Sequence, residues 1–189
     1  MRIYLKDQNY NFKKHLELLK SKAVMYYEKS QLIEKSTTIN IDTTKTLDQL
    51  NLDFLFNYQI FPDNIMTYLM QWKEEGRAIK IGDTIAQQVY IPPTKTFSQK
   101  IIFGVRINAI IDEANRKGFS YETLNGHVEK GISTFTVEQI DNQIFFKIQT
   151  YSKPGNILTK ILGPFFSIPY QTFCTKTALH NVKGQLESQ

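Results

Sequence analysis

A chain of 189 residues fits one domain, and its single cysteine, Cys174, excludes an internal disulfide. Net charge is +5, with nine Lys/Arg against five Asp/Glu in residues 1–46 and fourteen against thirteen in residues 47–189. Single lysines spread among acids read as a solvated face, not as the dense basic stripe of a nucleic-acid binder, so no nucleic-acid partner is expected.

Met1–Asp7 lacks the apolar core of a signal peptide. No uncharged apolar run approaches the roughly 18 residues of a membrane span, and a cytoplasmic chain is the expectation. Phe12, Leu16, Leu19, Ala23 and Tyr26 recur at helical spacing among lysines and acids, which predicts an amphipathic helix over Phe12–Ser30. That helix either packs on its own domain or offers its stripe to a partner, and no partner protein is identifiable from it. The threonine-rich stretch Ser36–Asn51 reads as a connection, with Ile39 and Ile41 as a short edge strand.

Phe54, Phe56, Tyr58 and Ile60 alternate with Leu55, Asn57 and Gln59 as a strand ending at Pro62. Asp63 then caps a helix with Ile65, Leu69 and Trp72 as its stripe and Gly76 as its stop. Thr84–Ile91 is the next strand, closed by Pro92-Pro93. A long strand follows, with Ile101, Phe103, Val105, Ile107, Ala109 and Ile111 on one face and Gly104, Arg106, Asn108 and Asp112 on the other.

Gly118 to Tyr151 reads as an antiparallel meander. Phe119, Tyr121 and Thr123 alternate with Ser120, Glu122 and Leu124, and Asn125-Gly126 offers a reversal. Gly131 closes that connection before a strand through Phe135, Val137 and Gln139. After the tight turn Asp141-Asn142, the third strand puts Ile144, Phe146, Ile148 and Thr150 on one face. Asn156 is a plausible cap for a C-terminal helix whose stripe holds Leu158, Ile161, Leu162, Phe165 and Ile168, continued by Phe173, Leu179 and Val182. Pro164 and Pro169 each remove an amide donor, which predicts a kink or break.

Two blocks carry a family resemblance. Gly118-Phe119-Ser120-Tyr121, Thr123-Leu124, Gly126-His127, Glu129, Gly131 and Phe135 form the first. Tyr151-Ser152-Lys153-Pro154, Leu162-Gly163-Pro164 and Gln171 form the second. The chain resembles the domain-of-unknown-function family nineteen-ninety from about Phe56 to its C-terminus, most specifically over Gly118–Pro164. Glu122 stands where the family usually has glycine, and Ile132-Ser133 where it usually has an acidic pair. The resemblance implies an α+β fold of the START-like, helix-grip kind. In it a curved antiparallel sheet wraps a long C-terminal helix, here with an extra N-terminal helix. Residues 1–52 then form a divergent helix and connection, and 53–189 the family-like core of a single domain. The resemblance implies no established activity.

Chemistry has few candidate carriers. His127 and Glu129 lie two apart between Gly126 and Gly131, and Tyr121 precedes them on its strand. Such a set can move a proton, because imidazole titrates near neutrality and a carboxylate can hold its tautomer. The alternative is a loop histidine that serves backbone carbonyls. Arg106, Asn108, Tyr121 and Glu122 become polar anchors of a pocket if their strand faces point inward, and Phe165 becomes a wall of it. The three histidines, His15, His127 and His180, and the one cysteine form no metal-ligand pattern, and no phosphate-cradling glycine motif occurs. No metal and no cofactor are expected. The leading expectation is non-catalytic binding of a small, largely apolar molecule between sheet and C-terminal helix. An acid–base enzyme using His127, Glu129 and Tyr121, and an interaction module using the N-terminal helix, are the alternatives.

Overall fold

The computed structural model describes residues 2–154 and 168–189, with side chains over 3–153 and 172–189. Within them eight strands form one antiparallel sheet. They are β1 (Arg2–Tyr4), β2 (Ile33–Ile41), β3 (Met66–Met70), β4 (Thr84–Ile91), β5 (Gln99–Glu113), β6 (Arg116–Thr123), β7 (Glu129–Ile140) and β8 (Gln143–Pro154). The order is β2-β8-β7-β6-β5-β4-β3, and β1 pairs with the start of β5. Helices α1 (Phe12–Lys20) and α4 (Ile168–Glu187) flank the sheet, and α2 (Asp53–Phe56) and α3 (Gln71–Glu74) are single turns. The sheet is curved, and α4 closes its inner face. Among the described residues no helix is long and apolar enough to cross a membrane.

The meander follows its turn chemistry. Asp141 and Asn142 both take positive φ, 48° and 65°, so a two-residue turn joins β7 to β8 with the twist that the strands require. The pairing then runs in register from Ile140↔Gln143 to Glu129↔Pro154. Gly131 lies inside β7 rather than in the connection before it. At Gly118 a Cβ would sit 2.0 Å from the Phe135 carbonyl oxygen of the neighbouring strand, so β6 and β7 meet there only because glycine has none.

Burial divides the chain into two layers. Inner-face residues Ile85, Val89, Ile101, Phe103, Val105, Ile107, Phe119, Phe135, Val137, Phe146 and Ile148 form the main core with Ala178, Leu179, Val182 and Leu186 of α4. On the outer face Phe12, Leu16 and Leu19 of α1 bury against Ala86, Ile102 and Leu124. Gly104 permits that approach, since a Cβ there would meet Leu19 and Leu124 at 3.0 Å. The apolar stripe of α1 is therefore spent within its own domain.

Several expectations change. The first helix ends at Lys20, not Ser30: the backbone turns at Ser21 and Val24 bridges to Leu124 on the sheet. The edge strand is the full nine residues Ile33–Ile41, because β8 offers a continuous partner from Ser152 to Ile144. Phe54–Ile60 is not a strand but α2 and a turn, with Tyr58 at φ 56°, a left-handed conformation that no strand accommodates. The stripe Ile65, Leu69, Trp72 is not one helix: Met66–Met70 pairs with β4, and only Gln71–Glu74 coils before Gly76 stops it. Asp63 caps nothing and pairs with Lys95.

In β5 the register slips between Ile107 and Ala109, a bulge. Past it, Ala109 pairs with Ser120 and Ile110 with Phe119, so Ala109 and Ile111 leave the face that Ile101–Ile107 share. Pro169 occupies the second position of α4, where its missing amide has no helical partner to lose. Pro164 and the stripe from Leu158 to Phe165 lie outside the described residues.

Candidate functional site

The inner face does not pack solidly along its whole length. Between β2, β8, the β6–β7 connection and Thr172–Lys176 of α4, a cavity of about 290 Å³ remains. Phe61, Ile65, Val89, Phe103, Val128 and Ile148 supply its apolar wall, and Cys174 of α4 is half-buried beside them. Lys35 of β2 and Lys176 of α4, both exposed, stand at its rim. Neither makes an ion pair among the described residues.

Strand alternation delivers the polar groups. Gln87 on β4 and Tyr121 on β6 share the inner face with Phe103, and both line the cavity. The Gln87 amide donates to the Tyr58 hydroxyl at 2.6 Å, and the Tyr58 hydroxyl lies 3.5 Å from that of Tyr121. The left-handed turn at Tyr58 puts its ring, fully buried, into edge contact with Tyr68 at 5.0 Å and Tyr121 at 6.2 Å. Burial holds the Tyr58 and Tyr121 phenols above their ordinary pKa, so both keep their hydrogens at neutral pH.

His127 and Glu129 come from the β6–β7 connection and the start of β7, and both line the cavity. The imidazole packs against Phe103 with centroids 4.1 Å apart. Its Nδ1 lies 2.8 Å from the Glu129 carbonyl oxygen and 3.0 Å from the Glu129 amide nitrogen. The main chain of Glu129 therefore orients the ring, and not its carboxylate as the two-residue spacing suggests. Burial disfavours the imidazolium and pushes the pKa down to about 4, so the ring is neutral at pH 7.

Of the residues singled out from sequence, the structure brings Tyr121, His127 and Glu129 together. Arg106 and Asn108 are elsewhere. Arg106 points to the outer face, where its Nη2 donates to the carbonyls of Leu19, Lys20 and Lys22. Asn108 sits at the bulge and accepts from the Ser120 hydroxyl at 2.6 Å. Glu122 bonds the Tyr27 hydroxyl. Phe165 lies outside the described residues. Sequence reasoning missed Gln87 and Tyr58; a glutamine amid the apolar residues of Thr84–Ile91 was the available signal for the first, and Tyr58 carried none.

A second hollow, about 640 Å³, lies between Trp72, Phe56, Leu50 and Ile110. It is larger, but most of its charges are paired: Arg77 with Asp83, and Lys117 with Asp48 and Asp112. Trp72 also spends its indole N–H on the Phe56 carbonyl. The smaller cavity is the better candidate because its polar groups converge on open space. Among the described residues no group of three His, Cys, Asp or Glu is placed to hold a metal ion.

A family model described as a domain of unknown function (DUF1990) matches residues 52–180. A hypothetical protein of Helicobacter pylori has a similar structure, with TM-score 0.57 at 9% identity over 87% of this chain and 96% of its own. The major latex-like protein 151 of Panax ginseng gives TM-score 0.54 at 14% identity, over 82% of this chain and 97% of its own. Protein Ms6760 of Mycobacterium smegmatis gives 0.52 at 11%, over 88% and 99%. At these identities the likeness is one of fold, the helix-grip arrangement of curved sheet and C-terminal helix. No curated protein matches the chain.

Proposed function

We propose that this chain, which belongs to the DUF1990 family, is a non-catalytic binding protein for a small, largely apolar molecule held between the sheet and α4. The observation that supports this reading is the cavity of about 290 Å³. Its volume lies near the lower end of the range for small-molecule sites, and a mostly apolar wall with a few convergent polar groups is their usual make-up. Those groups are Gln87, Tyr121, His127 and Glu129.

Binding is preferred over acid–base catalysis on a physical ground. General acid–base catalysis works best with a pKa near the operating pH, and His127, at about 4, is far from neutrality. The Glu129 carboxylate does not form the dyad that would raise it. The interaction-module reading loses its surface, because Phe12, Leu16 and Leu19 are buried on the outer face. A cytoplasmic setting suits a chain with one cysteine.

Thr150, half-buried on the cavity wall, gives the test. The solvatochromic dye prodan should bind saturably, one per chain. Thr150→Trp fills the space from the wall and should weaken binding at least about tenfold while unfolding stays cooperative. Unsaturable dye uptake, or a folded Thr150→Trp variant with unchanged affinity, refutes the reading.

A further inference from the structure

The lining of the cavity is segregated by polarity and charge. Strand alternation turns Lys35 and Thr37 of β2 inward with Ile39 and Ile41, and Thr150 and Ser152 of β8 stand beside them. The first part of α4, which packs against β2 and β8, adds Thr175 and Lys176. This side of the cavity presents two ammonium groups among hydroxyls, and no carboxylate. Across the curved sheet the wall is apolar apart from Gln87, with Met66 of β3, Val89 of β4 and Phe103 of β5.

The two lysines are uncommitted. Both are exposed, and among the described residues neither reaches a carboxylate. The side chains outside that description, residues 1, 2 and 154–171, include no Asp or Glu. Glu129, the carboxylate that lines the cavity, belongs to its far side: it is four residues along β7 from Ser133, which faces Lys35 across β8. At ordinary strand spacings that separation is roughly 16 Å between backbones. Glu129 also has a partner of its own. Like charges on one rim raise each other's energy, and an anion set between them is favoured by both. The volume bounds the rest of the ligand, since at about 30 Å³ for a water-sized group the space takes about ten such groups.

We infer that the cavity takes a single-chain carboxylate of medium length, its head between Lys35 and Lys176 at the β2–α4 edge and its hydrocarbon tail against Val89 and Phe103. The inference rests on the binding function proposed above and names its ligand class.

Three probes share one tail and differ in the head: octanoate, 1-octanol and octyltrimethylammonium, each competed against prodan. In the unmodified protein at low ionic strength octanoate should bind about tenfold more tightly than octanol, the sum of two exposed ion pairs. The cation should bind more weakly than either. Added salt should shrink the advantage of octanoate and leave octanol nearly unaffected. The double variant Lys35→Gln/Lys176→Gln should bring octanoate down to octanol and leave octanol unchanged. Lys6→Gln/Lys14→Gln removes the same charge from exposed positions away from the cavity and should keep the preference. Comparing the two affinities within one variant cancels any change in stability.

Equal affinities in the unmodified protein, tightest binding of the cation, a preference that survives the loss of Lys35 and Lys176, or one lost equally with Lys6 and Lys14 overturns the carboxylate assignment. So does a dye that none of the three displaces. In each of these cases prodan still occupies the cavity and the binding function stands, whereas dye that never binds saturably removes the binding function itself.

Discussion

The guanidinium of Arg106 donates to the Lys20 carbonyl at 2.9 Å, tying the middle of β5 to the last turn of α1 across the outer face of the sheet. The same Nη2 reaches the carbonyls of Leu19 at 3.4 Å and Lys22 at 3.2 Å. The final carbonyls of a helix have no intrahelical partner and carry the negative end of its dipole, so a half-buried cation there serves both needs.

Arg106→Met keeps the apolar stem and removes the donors. It should cost about 1.5–3 kcal/mol in urea unfolding, the range for hydrogen bonds to a charged group. Prodan binding should be unchanged, because Arg106 is on the face away from the cavity. A variant of full stability with lost dye binding would mean that the guanidinium serves the cavity instead.

His127 sets a pH dependence whose sign is fixed by its surroundings. Its pKa is about 4 in the folded chain, against 6.5 for an ordinary histidine, because burial beside Phe103 penalises the charge. Between those values the unfolded chain binds the proton and the folded chain does not. Stability is therefore fully present above about pH 6.5, falls as pH drops toward 4, and levels off once the folded state is also protonated. The loss should be on the order of 1–3 kcal/mol. His127→Asn should flatten that part of the profile when urea midpoints at pH 7 and pH 4.5 are compared. A His127 ring signal that titrates in the folded protein near pH 6.5 contradicts this account.

How much of this was legible in the sequence depended on apolar alternation and on turn or proline residues at the ends of a segment, as with Thr84–Ile91, which is buried at every position but closed by Pro92-Pro93. Strands β4 to β8 announced themselves, since Asp141-Asn142 and the alternation through Phe146 and Ile148 leave little choice of register. Phe54–Ile60 misled because Phe54, Leu55, Tyr58 and Ile60 are all buried, so apolar spacing there reports no face. Met66–Met70 misled for a related reason: Met66 and Met70 join the inner core, while Leu69 packs with the α1 cluster on the other side. A strand covered on both faces has no alternation to display. The bulge at Asn108 left no local mark either, yet it decides where Ala109 and Ile110 point. Arg106 and Asn108 were candidates for the cavity because strand parity alone cannot say which face is inner. Tyr121, His127 and Glu129, which line one cavity, could be grouped from sequence because they flank a recognisable turn.

The C-terminal helix holds the inner face of the sheet closed. Ala178, Leu179, Val182 and Leu186 of α4 are buried against the inner face. Polar side chains fix the same docking: Asn181 donates to the Gln59 and Ile60 carbonyls, Lys183 to the Asn40 carbonyl, and Glu187 accepts from the Asp42 amide. Each large apolar side chain fully buried is worth roughly 1.5–3 kcal/mol, so these contacts together are comparable with a domain's typical stability of about 5–15 kcal/mol. A chain stopped after Pro154 should expose the inner face and aggregate or lose cooperative unfolding. Single substitutions grade the effect. Leu186→Ala should cost about 2–4 kcal/mol, whereas Phe173→Ala, at a side chain 46% exposed, should stay within about 0.5 kcal/mol. Urea unfolding measures both. Equal costs would mean that α4 is not docked by the Leu186 face, and a truncated chain that stays monomeric and melts cooperatively would sink the helix-on-sheet architecture on which the cavity depends.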